Sequence, residues 1–101
     1  MTEKPMNPEA CQTMIDVRAG VDAVDRALMT LLGERMRYME AAARIKPERG
    51  LVRDEPRKAQ VIANARANAV REGVPEALAA ELWERLVEGS IAYEFERFDQ
   101  R

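Results

Sequence analysis

An apolar stripe at helical spacing runs from Ile15 to Ile45 with no proline inside it. Its members are Ile15, Val17, Val21, Val24, Leu28, Leu31, Leu32, Met36, Met39, Ala42, Ala43 and Ile45. Recurrence at three and four residues is the signature of one buried face of a helix. Thr13 with Asp16 can cap such a helix, with Asn7–Pro8 as an alternative start, and Pro47 ends it. Gly33 inside the run costs about 1 kcal/mol relative to alanine, which other contacts must offset. A helix over residues 13–46 is roughly 50 Å long. A compact chain of this size has a radius of gyration of only about 13 Å. The stripe therefore overhangs any core that a single chain can build, and a second copy packed along it, a homodimer of long helices, is the expected cover.

Two further helices complete the pattern. The break "PERGLVRDE" is followed by a helix capped by Asp54 or Glu55, with Pro56 in its first turn. It continues through Val61, Ile62, Ala65 and Ala69 to about Glu72. "EGVPE" stops that helix at Gly73 and opens a third near Pro75, which runs through Leu78, Leu82, Trp83, Leu86, Val87, Ile91, Phe95 and Phe98. No stretch shows strand alternation or hairpin chemistry. The expectation is an all-α chain of three helices: a flexible segment over residues 1–12 and one helical domain over residues 13–101.

Composition narrows the chemistry. Among 101 residues, 16 are basic and 18 acidic, for a formal net charge of -2. A general nucleic-acid or membrane-surface binder would carry a basic excess, so neither partner is expected. There is no histidine and one cysteine, Cys11. Zinc sites and the Ser–His or Cys–His nucleophile pairs are thereby excluded, and neither a metal nor a cofactor is expected. Cys11, with no evident base beside it, reads as incidental. The opening residues "MTEKPMNPE" are polar and no apolar targeting run follows, so the expected location is the cytoplasm.

Charges interrupt the apolar seams. On the first helix, Leu28, Leu32, Arg35, Met39, Ala42 and Lys46 form a row spaced four, three, four, three, four. Arg35 and Lys46, three turns apart, project within about 20° of each other. On the third helix, Trp83, Val87, Ser90 and Glu94 form a row spaced four, three, four. Arg57 precedes the apolar Val61 by one turn. Each charge alone could snorkel to water or sit at a fraying end. Taken together they describe an interior polar pocket with more cations than carboxylates, and such a pocket needs an anionic ligand. Arg53 is expected to be exposed. Arg18, about 25 Å along the axis from Arg35, would reach that pocket only from the other subunit of an antiparallel pair.

The stretches "VRAGVDAVDRALMTLLGERM", "AARIK", "VRDEPRK" and "LWERLVEGSIAYE", in that order and spacing, resemble the all-helical class of chorismate mutases, the AroQ class, which includes the isochorismate-pyruvate lyases. The resemblance covers residues 13–98. It implies an intertwined homodimer in which each of two sites borrows Arg18 from the partner. It implies that Arg18, Arg35 and Arg57 hold the substrate's carboxylates, that Lys46 and Glu94 face its ether oxygen, and that Asp54 and Ser90 line the pocket. The implied activity is the isomerisation of chorismate to prephenate in aromatic amino acid biosynthesis, without a cofactor. Two positions depart from the common pattern. Glu94 stands where many members have glutamine, and it must be protonated to donate a hydrogen bond. Lys58 stands where mutases commonly have a glutamate that accepts from the ring hydroxyl, and here it is expected to face solvent. The loop between Lys46 and Arg57 is one residue shorter than is typical. "ERMRYMEAAARIK" is similar to the lyases, whereas "VRD" and Ser90 are similar to the mutases, and the balance favours mutase over isochorismate-pyruvate lyase. A non-catalytic helical dimer module would explain the long helix but leaves the charged seams unexplained.

Overall fold

A computed structural model describes residues 6–101. A short 3-10 turn at Pro8–Ala10 precedes α1 (Met14–Ile45); a second 3-10 turn at Arg49–Leu51 leads to α2 (Glu55–Glu72) and then α3 (Glu76–Asp99). Among the described residues there is no strand. The chain is all-α, with three α-helices and a long first one of 32 residues. The segment expected to be flexible lies partly outside the described residues, namely residues 1–5.

Local chemistry explains the ends of the first two helices. The Thr13 hydroxyl accepts from the Asp16 amide at 3.2 Å, while the Asp16 carboxylate accepts from the amides of Gln12 and Thr13 at 3.1 and 3.3 Å. This reciprocal arrangement satisfies donors that a helix start leaves unpaired. At the other end the Lys46 amide still reaches the Ala42 carbonyl at 2.9 Å. Pro47 has no N–H with which to continue the ladder. For α2, the Asp54 carboxylate accepts from the Arg57 amide at 3.0 Å, and Pro56 occupies the first turn. That helix ends on Gly73 at φ 74°, in the left-handed region, and the Val74 amide closes onto the Ala69 carbonyl at 2.9 Å.

The chain forms two compact units, divided between Met36 and Arg37. The first comprises the N-terminal turn and the greater part of α1. An apolar cavity of about 490 Å³ there is lined by Met6, Pro8, Cys11, Val17, Val21 and Val24, among others. Ile15 is 78% exposed, Leu31 61% and Val24 56%. The second unit, Arg37–Arg101, packs α2 against α3 and seats the 3-10 turn at Arg49–Leu51 on α3. Its buried apolar residues are Ala43, Val52, Ala65, Ala69, Ala79 and Val87. Four of the six are alanines, so helix backbones approach closely, and each contact removes only a modest apolar area from water.

A charge network supplements that thin core. Lys58 of α2 reaches Glu84 at 3.0 Å and Glu88 at 2.7 Å on α3. Arg53 grips Glu88 through two nitrogens at 2.7 and 3.1 Å, and also holds Glu55 at 2.9 Å. Arg53 first, then Lys58, draws the Glu88 carboxyl down to about 2 from its ordinary 4.5. The same contacts raise Lys58, through Glu88 and then Glu84. Single surface pairs contribute little, but shared charges hold the start of α2 to the middle of α3.

Two outcomes follow from these features. No atom stands within 4 Å of a side chain added at Gly73, so Gly73→Ala has only the backbone cost of the left-handed conformation, about 1–2 kcal/mol. Urea unfolding should show that loss, and a smaller one for Gly73→Asn, because asparagine tolerates that conformation; equal losses would contradict the assignment. Glu88 is held below its unfolded value, so its stabilisation is complete above pH 4.5 and is lost as pH falls through about 2. Unfolding midpoints of wild type and Glu88→Gln should therefore converge on acidification, whereas a gap independent of pH would contradict the network.

Candidate active site

The buried face of α3 is the row that spacing alone marks out. Val87, Ser90 and Glu94 are buried, with Trp83 half-buried at its start. A carboxylate in such a place needs a partner, because desolvating a charge is costly. Lys46 supplies it, just past the end of α1: its Nζ lies 2.7 Å from Glu94 Oε2. The Glu94 side chain is only 6% exposed and that of Lys46 29%, so the pair opens toward solvent on the lysine side. The contact lies off the axis of a well-aligned hydrogen bond, so charge attraction rather than directed donation holds Oε2. Lys46 Nζ also donates to the Val52 carbonyl at 3.4 Å. An ammonium has three donors, and with Val52 taking one, another can turn to a ligand oxygen. Ser90, one turn before Glu94, donates to the Leu86 carbonyl of its own helix at 2.7 Å.

The other candidate residues are placed differently. Asp54 is exposed and serves as the α2 cap. Arg57 is exposed, and its guanidinium donates to Gln60 on its own helix at 2.7 Å. Lys58 does not face solvent as the sequence predicts: its side chain is 16% exposed and bound to Glu84 and Glu88. Two carboxylates one turn apart on α3 attract it there, and spacing within α2 gives no sign of them. Arg53 is exposed, as expected, and carries the Glu88 contacts. Arg18 and Arg35 belong to the first unit, where Arg18 is exposed and Arg35 half-buried. Within the second unit, then, the structure brings together Lys46 and Glu94, with Ser90 beside Glu94 on the same face.

Several contacts around this pair have no precursor in sequence spacing. Arg49, in the loop after Lys46, binds Asp99 at 2.9 and 3.2 Å and stacks over Phe95 at 4.5 Å. The guanidinium holds the Asp99 carboxyl below its usual range. Tyr93 donates to Glu40, and the hydrogen bond followed by burial raises its hydroxyl. Arg101 donates to carbonyls at the end of α1. These partners lie about fifty residues apart in the chain, beyond any helical period. Among the described residues no group of three or more histidine, cysteine, aspartate or glutamate side chains is placed to hold a metal ion. None of the described helices is long and apolar enough to cross a membrane.

The chain is similar to the isochorismate pyruvate lyase of Pseudomonas aeruginosa, at 26% identity over 93 residues, 92% of this chain and 92% of that protein. The family model for chorismate mutase type II matches residues 17–95, a span that includes Arg18, Arg35, Lys46, Asp54, Arg57, Ser90 and Glu94. By that match over most of its length, and by its all-helical fold, the chain belongs to the chorismate mutase type II family.

Proposed function

We propose that this protein is a chorismate mutase, converting chorismate to prephenate. The observation that carries the reading is the Lys46–Glu94 pair, which sets a half-buried cation beside a buried carboxyl group on the inner face of α3. In the rearrangement an ether C–O bond breaks as a C–C bond forms, within one cyclic shift of electrons. No nucleophile, cofactor or obligatory proton transfer is involved. The enzyme's tasks are to hold the reactive conformer and to stabilise negative charge growing on the ether oxygen. Lys46 does the second through an N–H that Val52 does not take. Glu94 adds a second donor when protonated, and as a carboxylate it orients Lys46 instead.

The two carboxylates of the substrate need forked donors, a role that suits arginine. Arg35 and Arg57 of one protomer, with Arg18 of its partner, fill it in our reading, and Asp54 and Ser90 complete the lining. The exposed apolar side chains of α1 supply the reason for a partner: Ile15, Val21, Val24, Leu28 and Leu31 are each more than half exposed. Covering such side chains contributes about 1.5–3 kcal/mol apiece when burial is complete. A second copy, aligned antiparallel, would cover them and carry its Arg18 toward this protomer's Lys46.

Similarity to the Pseudomonas aeruginosa lyase along nearly the whole chain favours a second reading, elimination of pyruvate from isochorismate. That reaction is also pericyclic and draws on the same cationic groups. Lys58 bears on the choice, because its hold on Glu84 and Glu88 leaves no carboxylate at that position to accept from a ring hydroxyl.

Losing one preorganised donor typically costs about 3–4 kcal/mol of barrier, so Lys46→Ala should lower chorismate turnover at least about a hundredfold while the protein stays folded. Near-normal turnover in a folded variant would refute the role. Glu94→Gln keeps a donor beside Lys46 and should retain turnover, whereas Glu94→Ala should lower it; equal losses in the two variants would contradict donation at this position. Arg18→Ala and Lys46→Ala should each be inactive alone, and mixing them should restore about a quarter of the sites if protomers exchange an arginine. Failure to restore activity in an exchanged dimer would refute the crossing.

A further inference from the structure

We infer that Arg101 is a positioning residue for Lys46, acting on the backbone from which the lysine projects. The inference rests on the reading of Lys46 as catalytic. It starts from Pro47. In an α-helix each carbonyl accepts from the amide four residues on, and the last carbonyls lack such partners. The Ala42 carbonyl receives the Lys46 amide at 2.9 Å. The next in line, that of Ala43, would receive the amide of residue 47, which is proline and has none. Ala43 is 2% exposed, so bulk water does not take the amide's place.

Arg101 takes that place. Its Nη1 donates to the carbonyls of Ala43 at 3.0 Å, Arg44 at 3.4 Å and Lys46 at 2.6 Å, and its Nη2 donates to Pro47 at 3.3 Å. The guanidinium also lies over the Phe98 ring, 3.7 Å from its centroid, which fixes its plane. One planar cation thus spans the carbonyls on both sides of Lys46 and sits where the helix dipole favours positive charge. The end of α3 and the residues just beyond it hold Lys46 twice. Glu94 engages the ammonium, and Arg101, two turns further along the chain, engages the backbone. A lysine side chain has four rotatable bonds, so a fixed tip defines a position only when its root is fixed as well. A misplacement of about 1 Å in a catalytic group is enough to cost about a hundredfold in rate.

The test is Arg101→Ala, read by amide hydrogen exchange and by steady-state kinetics well below the unfolding temperature. Exchange at the Lys46 amide should quicken about tenfold while amides in the middle of α2 keep their protection. Turnover should fall about tenfold with KM within about twofold of wild type. Arg101→Lys should recover part of both, since one ammonium can serve the Ala43 carbonyl but not all four; it also carries the test if the alanine variant fails to fold. The sharpest arm is Pro47→Ala in the Arg101→Ala background. Residue 47 then regains an amide for the Ala43 carbonyl, and protection at Lys46 and turnover should both rise again. A role confined to global stability would lower the unfolding temperature of Arg101→Ala yet leave Lys46 exchange and turnover unchanged, and that result would overturn the inference. Exchange needs no turnover, so the two readings separate. Wild-type protein inert toward chorismate and isochorismate would sink the functional reading, while lost protection in Arg101→Ala would still sustain the backbone clasp.

Discussion

The ion pair between Lys46 and Glu94 imposes the strictest demand on the second unit. A carboxylate almost wholly withdrawn from water is tolerated only beside a cation, so the end of α1 and the C-terminal part of α3 must meet at one register. Small side chains make that meeting possible. Ala43, Ala65, Ala69 and Ala79 keep the helices close, and Val52 closes the loop between Lys46 and α2. Removing Lys46 would leave the Glu94 carboxylate buried and unpaired, which is more damaging than never having had the pair. In the proposed mechanism the same feature supplies the chemistry, because a preorganised ammonium in a poorly hydrated place interacts strongly with charge that develops beside it.

Around this pair the loop from Lys46 to Asp54 is pinned by contacts of different kinds. Arg49 holds Asp99 and Phe95, Arg101 holds the carbonyls up to Pro47, and Arg53 ties the loop's far end to Glu88. Three arginines therefore fasten a segment whose apolar content is low. Ion pairs at the surface contribute modestly to global stability, but they restrict local motion where a short loop has little core to rest on. The first unit presents the opposite case. Many of its apolar side chains are exposed, and a helix of that kind gains little stability on its own.

Helix boundaries and the seams were legible because they follow from local chemistry. The Thr13–Asp16 cap, the Asp54 cap, the stop at Pro47 and the left-handed Gly73 each depend on residues within one turn. The row of Trp83, Val87, Ser90 and Glu94 was readable because a helix repeats every 3.6 residues. What escaped was long-range pairing. Lys58 looks solvent-facing on α2 until Glu84 and Glu88 arrive from another helix. Arg101 could have been sought from the sequence, since Pro47 deprives a carbonyl of its donor, but which residue would answer that need is set only by the packing of α3.

The most direct measurement is product analysis of the purified protein offered chorismate and isochorismate in parallel. Prephenate from chorismate, with little pyruvate and salicylate from isochorismate, is the predicted result. Pyruvate and salicylate from isochorismate without prephenate would transfer the same site to lyase chemistry and contradict the mutase reading. No product from either substrate would contradict the claim that the Lys46–Glu94 pair serves a pericyclic reaction.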